Sequence, residues 1–249
     1  MHLHTKALVL RETAYKESDK ILTLLTQEQG KLTASARGCR RKGSPLAAGS
    51  QLLVWSDFIL YEYQGRWSVK EAEVEREFRG MREDLDKFSL GCYFGEVTQA
   101  LALEGLPSPE MLSLILNSLH ALDRLDRPLA LVKGAFELRA MCLAGYEPVL
   151  DACAVCGCQP EEPRFHLREG VLHCARCRGE VGDGVSMPLD QGALAAMRHV
   201  AYGDPKRLFS FQLEEKSLSA FADVTEAYLL TQLERGFSTL DFYKSLRLS

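Results

Sequence analysis

Apolar and polar positions follow a period of two over the first third of the chain and change to a helical period near residue 81. Residues 5–12 are rich in β-formers, 20–26 form a second apolar run, and 31–37 alternate strictly, with Leu32, Ala34 and Ala36 on one face. Gly30 separates the last two runs. After a Gly- and Ser-bearing segment at 38–50, residues 52–63 are aromatic and β-branched, Gln64-Gly65 reads as a turn, and 67–74 read as a further strand. About five strands in roughly 75 residues leave no room for crossover helices, so the pattern predicts a small antiparallel barrel or sandwich.

From Met81 onward, Leu85, Phe88, Leu90, Cys92, Tyr93, Val97, Ala100, Leu101 and Leu103 fit a buried helix that ends at Gly105-Leu106-Pro107. Ser108 as N-cap and Pro109 at the first helical position open a second helix over 111–125. A third, over 128–143, closes at Gly145 and Pro148. Cysteines, glycines and prolines interrupt the pattern over 151–186, after which 189–202, 217–233 and 240–248 are helical again. The expected class is α+β, with a barrel domain over 1–80 and an all-α domain over 81–249 that carries an insertion at about 151–186.

Composition adds limits. The chain has 249 residues, 46% hydrophobic and 26% charged, which argues against disorder and against a small disulfide scaffold. The longest uncharged stretch, 43–56, contains Gly, Ser, Pro and Gln and is too short to span a bilayer. The apolar run after Met1 breaks at Arg11, unlike a secretory signal, so the expected location is the cytoplasm and no membrane partner is expected. A formal charge of −4 excludes polycation-style binding to nucleic acid, but residues 1–45 carry nine Lys/Arg against four Asp/Glu. That is +5 at the front and, by difference, −9 over the rest.

The clearest motif is the pair Cys153-Ala154-Val155-Cys156 and Cys174-Ala175-Arg176-Cys177, with seventeen residues between Cys156 and Cys174. Two residues between thiolates let both sulfurs of a tight turn reach one tetrahedral ion at about 2.3 Å. This predicts Cys153, Cys156, Cys174 and Cys177 as ligands of one structural Zn2+ per chain, since four sulfurs leave no open position for water or substrate. Cys158 offers an alternative ligand, and His166 and His173 lie near enough to compete. The plainer reading is a set of buried thiols or one redox pair. Cys92 and Cys142 sit at apolar helix positions and read as packed thiols, whereas the arginines around Cys39 could favour its thiolate.

The segment Arg37-Gly38-Cys39-Arg40-Arg41-Lys42-Gly43-Ser44-Pro45 is too glycine-rich for a helix and places four cations in six positions. With Leu32, Ala34 and Ala36 inward, Lys31, Thr33, Ser35 and Arg37 fall on the opposite face and extend a surface suited to phosphates. Trp55, Phe58, Tyr61, Tyr63 and Trp67 follow; strand aromatics are usually core, though exposed ones could stack on bases. Gly38 and Gly43 resemble the frame of a phosphate-binding loop, but Ser44 stands where that motif needs Lys. No catalytic histidine, serine-elbow or metalloprotease spacing is present, so no enzyme is predicted.

Several of these segments together resemble the RecO family of bacterial recombination mediators. They are Leu8-Val9-Leu10-Arg11, Tyr15-Lys16-Glu17-Ser18-Asp19-Lys20-Ile21, Leu24-Leu25-Thr26 leading to Gly30-Lys31, Ala36-Arg37-Gly38 with its basic continuation to Ser44, and the paired cysteines after a helical block. The resemblance implies an N-terminal five-stranded OB-fold barrel followed by a helical domain with a zinc ribbon. It also implies a non-enzymatic protein that binds single- and double-stranded DNA, anneals complementary strands and, with RecR, helps RecA replace the single-stranded-DNA-binding protein, whose acidic tail it contacts. On this sequence it assigns Lys31, Arg37, Arg40, Arg41 and Lys42 to DNA. It assigns Cys153, Cys156, Cys174 and Cys177 to the metal, with Cys158 outside that pattern. The rival expectation is an interaction scaffold whose basic loop docks an acidic partner.

Overall fold

A computed structural model describes residues 1–180 and 182–247. Five strands, β1 (His2–Tyr15), β2 (Asp19–Thr26), β3 (Gly30–Ala36), β4 (Trp55–Tyr63) and β5 (Arg66–Arg76), close a barrel in the order β1-β2-β3-β5-β4. Neighbours pair antiparallel except at the seam, where β3 and β5 run parallel through Ala34 with Trp67 and Ser35 with Ser68. Alternation does what the sequence predicts: Ala7, Val9, Leu22, Leu24, Leu32, Ala34, Ala36, Phe58, Leu60 and Val69 fill the barrel. Leu8 and Leu10, on the opposite face of β1, are buried as well.

A helix that follows the barrel packs on the second face of β1. α1 (Arg79–Arg82), α2 (Leu85–Leu101) and α3 (Pro109–Arg124) follow the barrel, then α4 (Leu129–Leu143), α5 (Gln191–Tyr202), α6 (Glu215–Leu233) and α7 (Ser238–Leu246). The single helix expected from Met81 is broken because Asp84 caps a new one, accepting from the Lys87 amide at 3.1 Å. α2 lies against β1, and a Cβ on Gly95 would stand 3.4 Å from the Leu10 carbonyl oxygen. Leu248, which the last predicted helix includes, and Val181 and Ser249 are outside the described residues.

The chain forms two compact units, Met1–Arg124 with Phe237–Ser249, and Leu125–Gly236. In the first, α7 packs on α2: Thr239 donates from its amide (3.1 Å) and hydroxyl (2.5 Å) to Glu96 Oε2, and the Tyr93 and Phe237 rings meet edge-on at 5.7 Å. The second is built on α4 and α6, where Gly134 allows so close an approach that an added Cβ would stand 2.6 Å from Phe221. Lys133 is buried between Glu137 and Glu226, 2.8 Å from each. The insertion is a four-stranded sheet of β6 (Val149–Cys153), β7 (Arg164–His166), β8 (Val171–His173) and β9 (Ser186–Pro188), in the order β6-β8-β7-β9. α6 holds it through the Phe165–Tyr228 ring pair and through Gln232 Nε2, which donates at 2.8 Å to the Leu167 and Arg168 carbonyls. Among the described residues, no helix is long and apolar enough to cross a membrane.

Candidate nucleic-acid interface and metal centre

A groove of about 900 Å³ runs along the seam where β3 and β5 pair over two positions. Tyr15, Tyr61, Tyr63 and Trp67 line it together with Lys16, Arg37, Arg66 and Lys70; Asp19 is the one acid among its lining residues. Of the aromatics read from the sequence, only Phe58 is fully buried, whereas Tyr63 is 62% exposed and Trp55, Tyr61 and Trp67 are intermediate. Core packing therefore claims fewer rings than strand statistics suggest. Tyr15, 49% exposed, joins the groove from the end of β1, beyond the stretch in which sequence periodicity marked a strand. Lys70 lies 5.3 Å from the Tyr61 ring centre and Lys16 5.3 Å from that of Tyr15, so cations and ring faces already adjoin.

The basic segment is anchored to the β1–β2 turn. Asp19 accepts from the Gly38 amide at 2.7 Å, the Arg40 amide donates to the Ser18 carbonyl at 2.9 Å, and Arg40 Nη1 reaches the Lys16 carbonyl at 3.5 Å. The Gly38 amide, with Ser18, Lys16 and Arg37, holds the Asp19 carboxyl below its ordinary range. Gly38 (φ +68°) and Gly43 (φ +77°) take the left-handed conformation that turns the loop. Arg37 and Arg41 line a cleft with Lys16 and Asp19, and Arg37, Arg40, Arg41 and Lys42 are all exposed. Lys31 is placed elsewhere. At the far end of β3, its ammonium donates to the Gln99 carbonyl at 2.8 Å. Cys39 is buried under the loop, and burial pushes its thiol up in spite of the nearby cations. Burial likewise raises Cys92 to about 11 and Cys142 to about 12, in keeping with packed thiols.

In the ribbon, Cys153, Cys156, Cys158 and Cys174 bring their sulfurs within 4.8 Å of one another. Cys177 is buried beside Cys153 and Cys174 but is not one of those four sulfurs. Three of the four cysteines read from the spacing, Cys153, Cys156 and Cys174, therefore converge, and the fourth sulfur of the set is that of Cys158, where the spacing gave Cys177. Tetrahedral sulfurs with bonds of about 2.3 Å stand about 3.8 Å apart. Cys156 and Cys174 are separated by 3.8 Å, and Cys156 and Cys158 by 3.4 Å, so the donor set fits such an ion. Amides of Cys177 and Arg176, at the start of a short 3-10 turn, lower the Cys174 thiol to about 6 and ready it as a thiolate ligand. The histidines take no part. His166 accepts from the Glu169 amide and bonds the Gly182 carbonyl, while His173 bonds Ser186 Oγ and the Cys174 carbonyl, so each ring has both nitrogens engaged.

The family model for the N-terminal part of recombination protein O matches residues 1–78, and that for its C-terminal part matches residues 82–241. The DNA repair protein RecO of Acetivibrio thermocellus is 32% identical over 248 residues, covering 98% of this chain and 97% of the relative. That of Symbiobacterium thermophilum is 32% identical over 244 residues, covering 96% of each, and that of Alkaliphilus metalliredigens is 28% identical over 248 residues, covering 99% and 100%. With both halves matched and the fold those halves predict in place, the chain belongs to the RecO family of DNA repair proteins.

Proposed function

We propose that this chain is a non-enzymatic mediator of DNA repair and homologous recombination that binds single- and double-stranded DNA through its barrel. The observation that carries this reading is the seam groove, where four aromatic rings and four cations converge against one acid. Every base has a face to stack on a ring and every nucleotide a phosphate for a cation, so such a groove suits single strands of any sequence. Arg37 joins the groove to the basic loop, and Arg40, Arg41 and Lys42 continue the cationic track where the backbone of a single strand or a duplex would run. Lys31 can join that track only by giving up its bond to Gln99.

Neutralised phosphates repel a complementary strand less, which is the physical basis for annealing. In this reading the protein acts in the cytoplasm with RecR, contacts the acidic tail of the single-stranded-DNA-binding protein and helps RecA replace it. Residues 1–80 are the nucleic-acid-binding domain, and 81–249 are the helical domain whose insertion, about 151–186, holds one structural Zn2+ through its clustered cysteines. Strand annealing on DNA coated with the single-stranded-DNA-binding protein tests it. Annealing should be faster with the acidic tail present than with it removed. Equal rates would contradict the mediator reading, and failure to bind naked single strands at micromolar concentration in moderate salt would favour the scaffold whose basic loop docks an acidic partner.

A further inference from the structure

Two depressions adjoin at the barrel seam, and their chemistry differs. The larger is the seam groove, lined by the rings of Tyr15, Tyr61, Tyr63 and Trp67. The smaller, a cleft of about 490 Å³, lies between the β1–β2 turn and the basic loop. No ring lines it; its cations are Lys16, Arg37 and Arg41, and its acids are Glu17 and Asp19. Of those acids, Asp19 is engaged as the acceptor of the Gly38 amide at 2.7 Å. Arg41 lies along the wall of the cleft, its Cδ 3.6 Å from where a Cβ on Gly38 would stand. Lys16, Asp19 and Arg37 line both depressions, whereas Arg66 and Lys70 line the groove alone and Arg41 the cleft alone.

A protein ring stacks only on a base whose face is free. In a duplex each base face is covered by its neighbours, while the phosphates of both strands stay on the outside. The groove can therefore tell an unpaired strand from a paired one, and the ring-free cleft cannot. We propose that groove and cleft are successive subsites for DNA: the groove takes an unpaired strand by its bases, and the cleft, with the exposed Arg40 and Lys42 of the same loop, takes the phosphates of paired DNA. This rests on the reading that the barrel binds DNA. As a complementary strand pairs with one held in the groove, the bases leave the rings and the stacking contacts are lost. Phosphate contacts to Lys16, Arg37 and Arg41 survive pairing. The new duplex then stays on the cleft while the groove empties for a further stretch of single strand.

Fluorescence anisotropy on the full chain tests this, with one labelled oligonucleotide presented as a single strand and as its blunt duplex in the same buffer. Tyr15 and Tyr63 are 49% and 62% exposed, so replacing both with Ala removes rings without opening the core. Tyr15→Ala combined with Tyr63→Ala should weaken single-strand binding by about tenfold or more and leave duplex binding within about twofold of the wild type. Arg41→Ala combined with Lys42→Ala should weaken duplex binding and flatten its log–log salt slope by about 2, two phosphate contacts at roughly 0.9 each. Single-strand binding of that variant keeps its stacking contacts and should fall by a smaller factor. Equal losses on both ligands for the ring variant, or duplex binding untouched in the loop variant, would overturn the division into subsites. A wild type that binds neither ligand would instead remove the DNA reading itself.

Discussion

Asp19 joins the turn after β1 to the loop that carries the exposed arginines, and its charge is what makes the bond to the Gly38 amide strong. Its carboxyl is held below the ordinary value, so the folded state gains from the ionised form at pH above the unfolded value of about 4. That gain is lost as pH falls through the lower folded value. The loop should therefore stay anchored throughout the neutral range and loosen only in acid. Replacing Asp19 with Asn keeps the shape and removes the charge, so hydrogen exchange at the Gly38 amide should accelerate at pH 7 in Asp19→Asn while the barrel-core amides keep their protection. Unchanged exchange at Gly38 would mean that the loop holds its conformation without this bond. The basic run was legible at once in the sequence. The anchor was not, because Asp19 and Gly38 are brought together by the β2–β3 pairing and not by any local spacing.

The elements show the same division. Five strands and most helices could be read from periodicity, since a half-buried strand and a one-sided helix each expose their burial in sequence. The paired cysteines marked the ribbon, but its short strands carry too few positions for a period of two to appear. The docking of α7 on α2 was also hidden, because Thr239 and Glu96 are 143 positions apart. α4 gave its existence but not its role: it is buried on nearly all sides, and its Lys133 and Glu137 lie inside the unit. Two substitutions separate the contributions there. Gly134→Ala presses a methyl into Phe221 and should destabilise by about 1–3 kcal/mol. Lys133→Met leaves Glu137 and Glu226 without their shared cation and should cost about 3–5 kcal/mol. Urea unfolding of both variants checks the order. If Lys133→Met proves as stable as the wild type, the buried ion triad contributes nothing beyond what packing supplies.

Over the whole molecule, charge is what most directly links sequence to function. A chain of net −4 holds a front end of +5, and the fold gathers part of that excess with Arg66 and Lys70 beside the exposed rings of the barrel seam. The basic loop was legible from composition by segment, whereas Arg66 and Lys70 were not, because they lie in a stretch that is not basic overall. Which rings stay exposed was not legible either, because that depends on the parallel pairing of β3 with β5, strands distant in sequence. The central claim is that this seam binds single-stranded DNA, and the salt dependence of affinity for a single-stranded oligonucleotide addresses it. Arg37→Ala, Arg66→Ala and Lys70→Ala combined should weaken binding to all sequences alike and flatten the log–log salt slope by about 2, three phosphate contacts at roughly 0.7 each. An affinity and slope equal to those of the wild type would contradict the claim and place the DNA elsewhere on the protein.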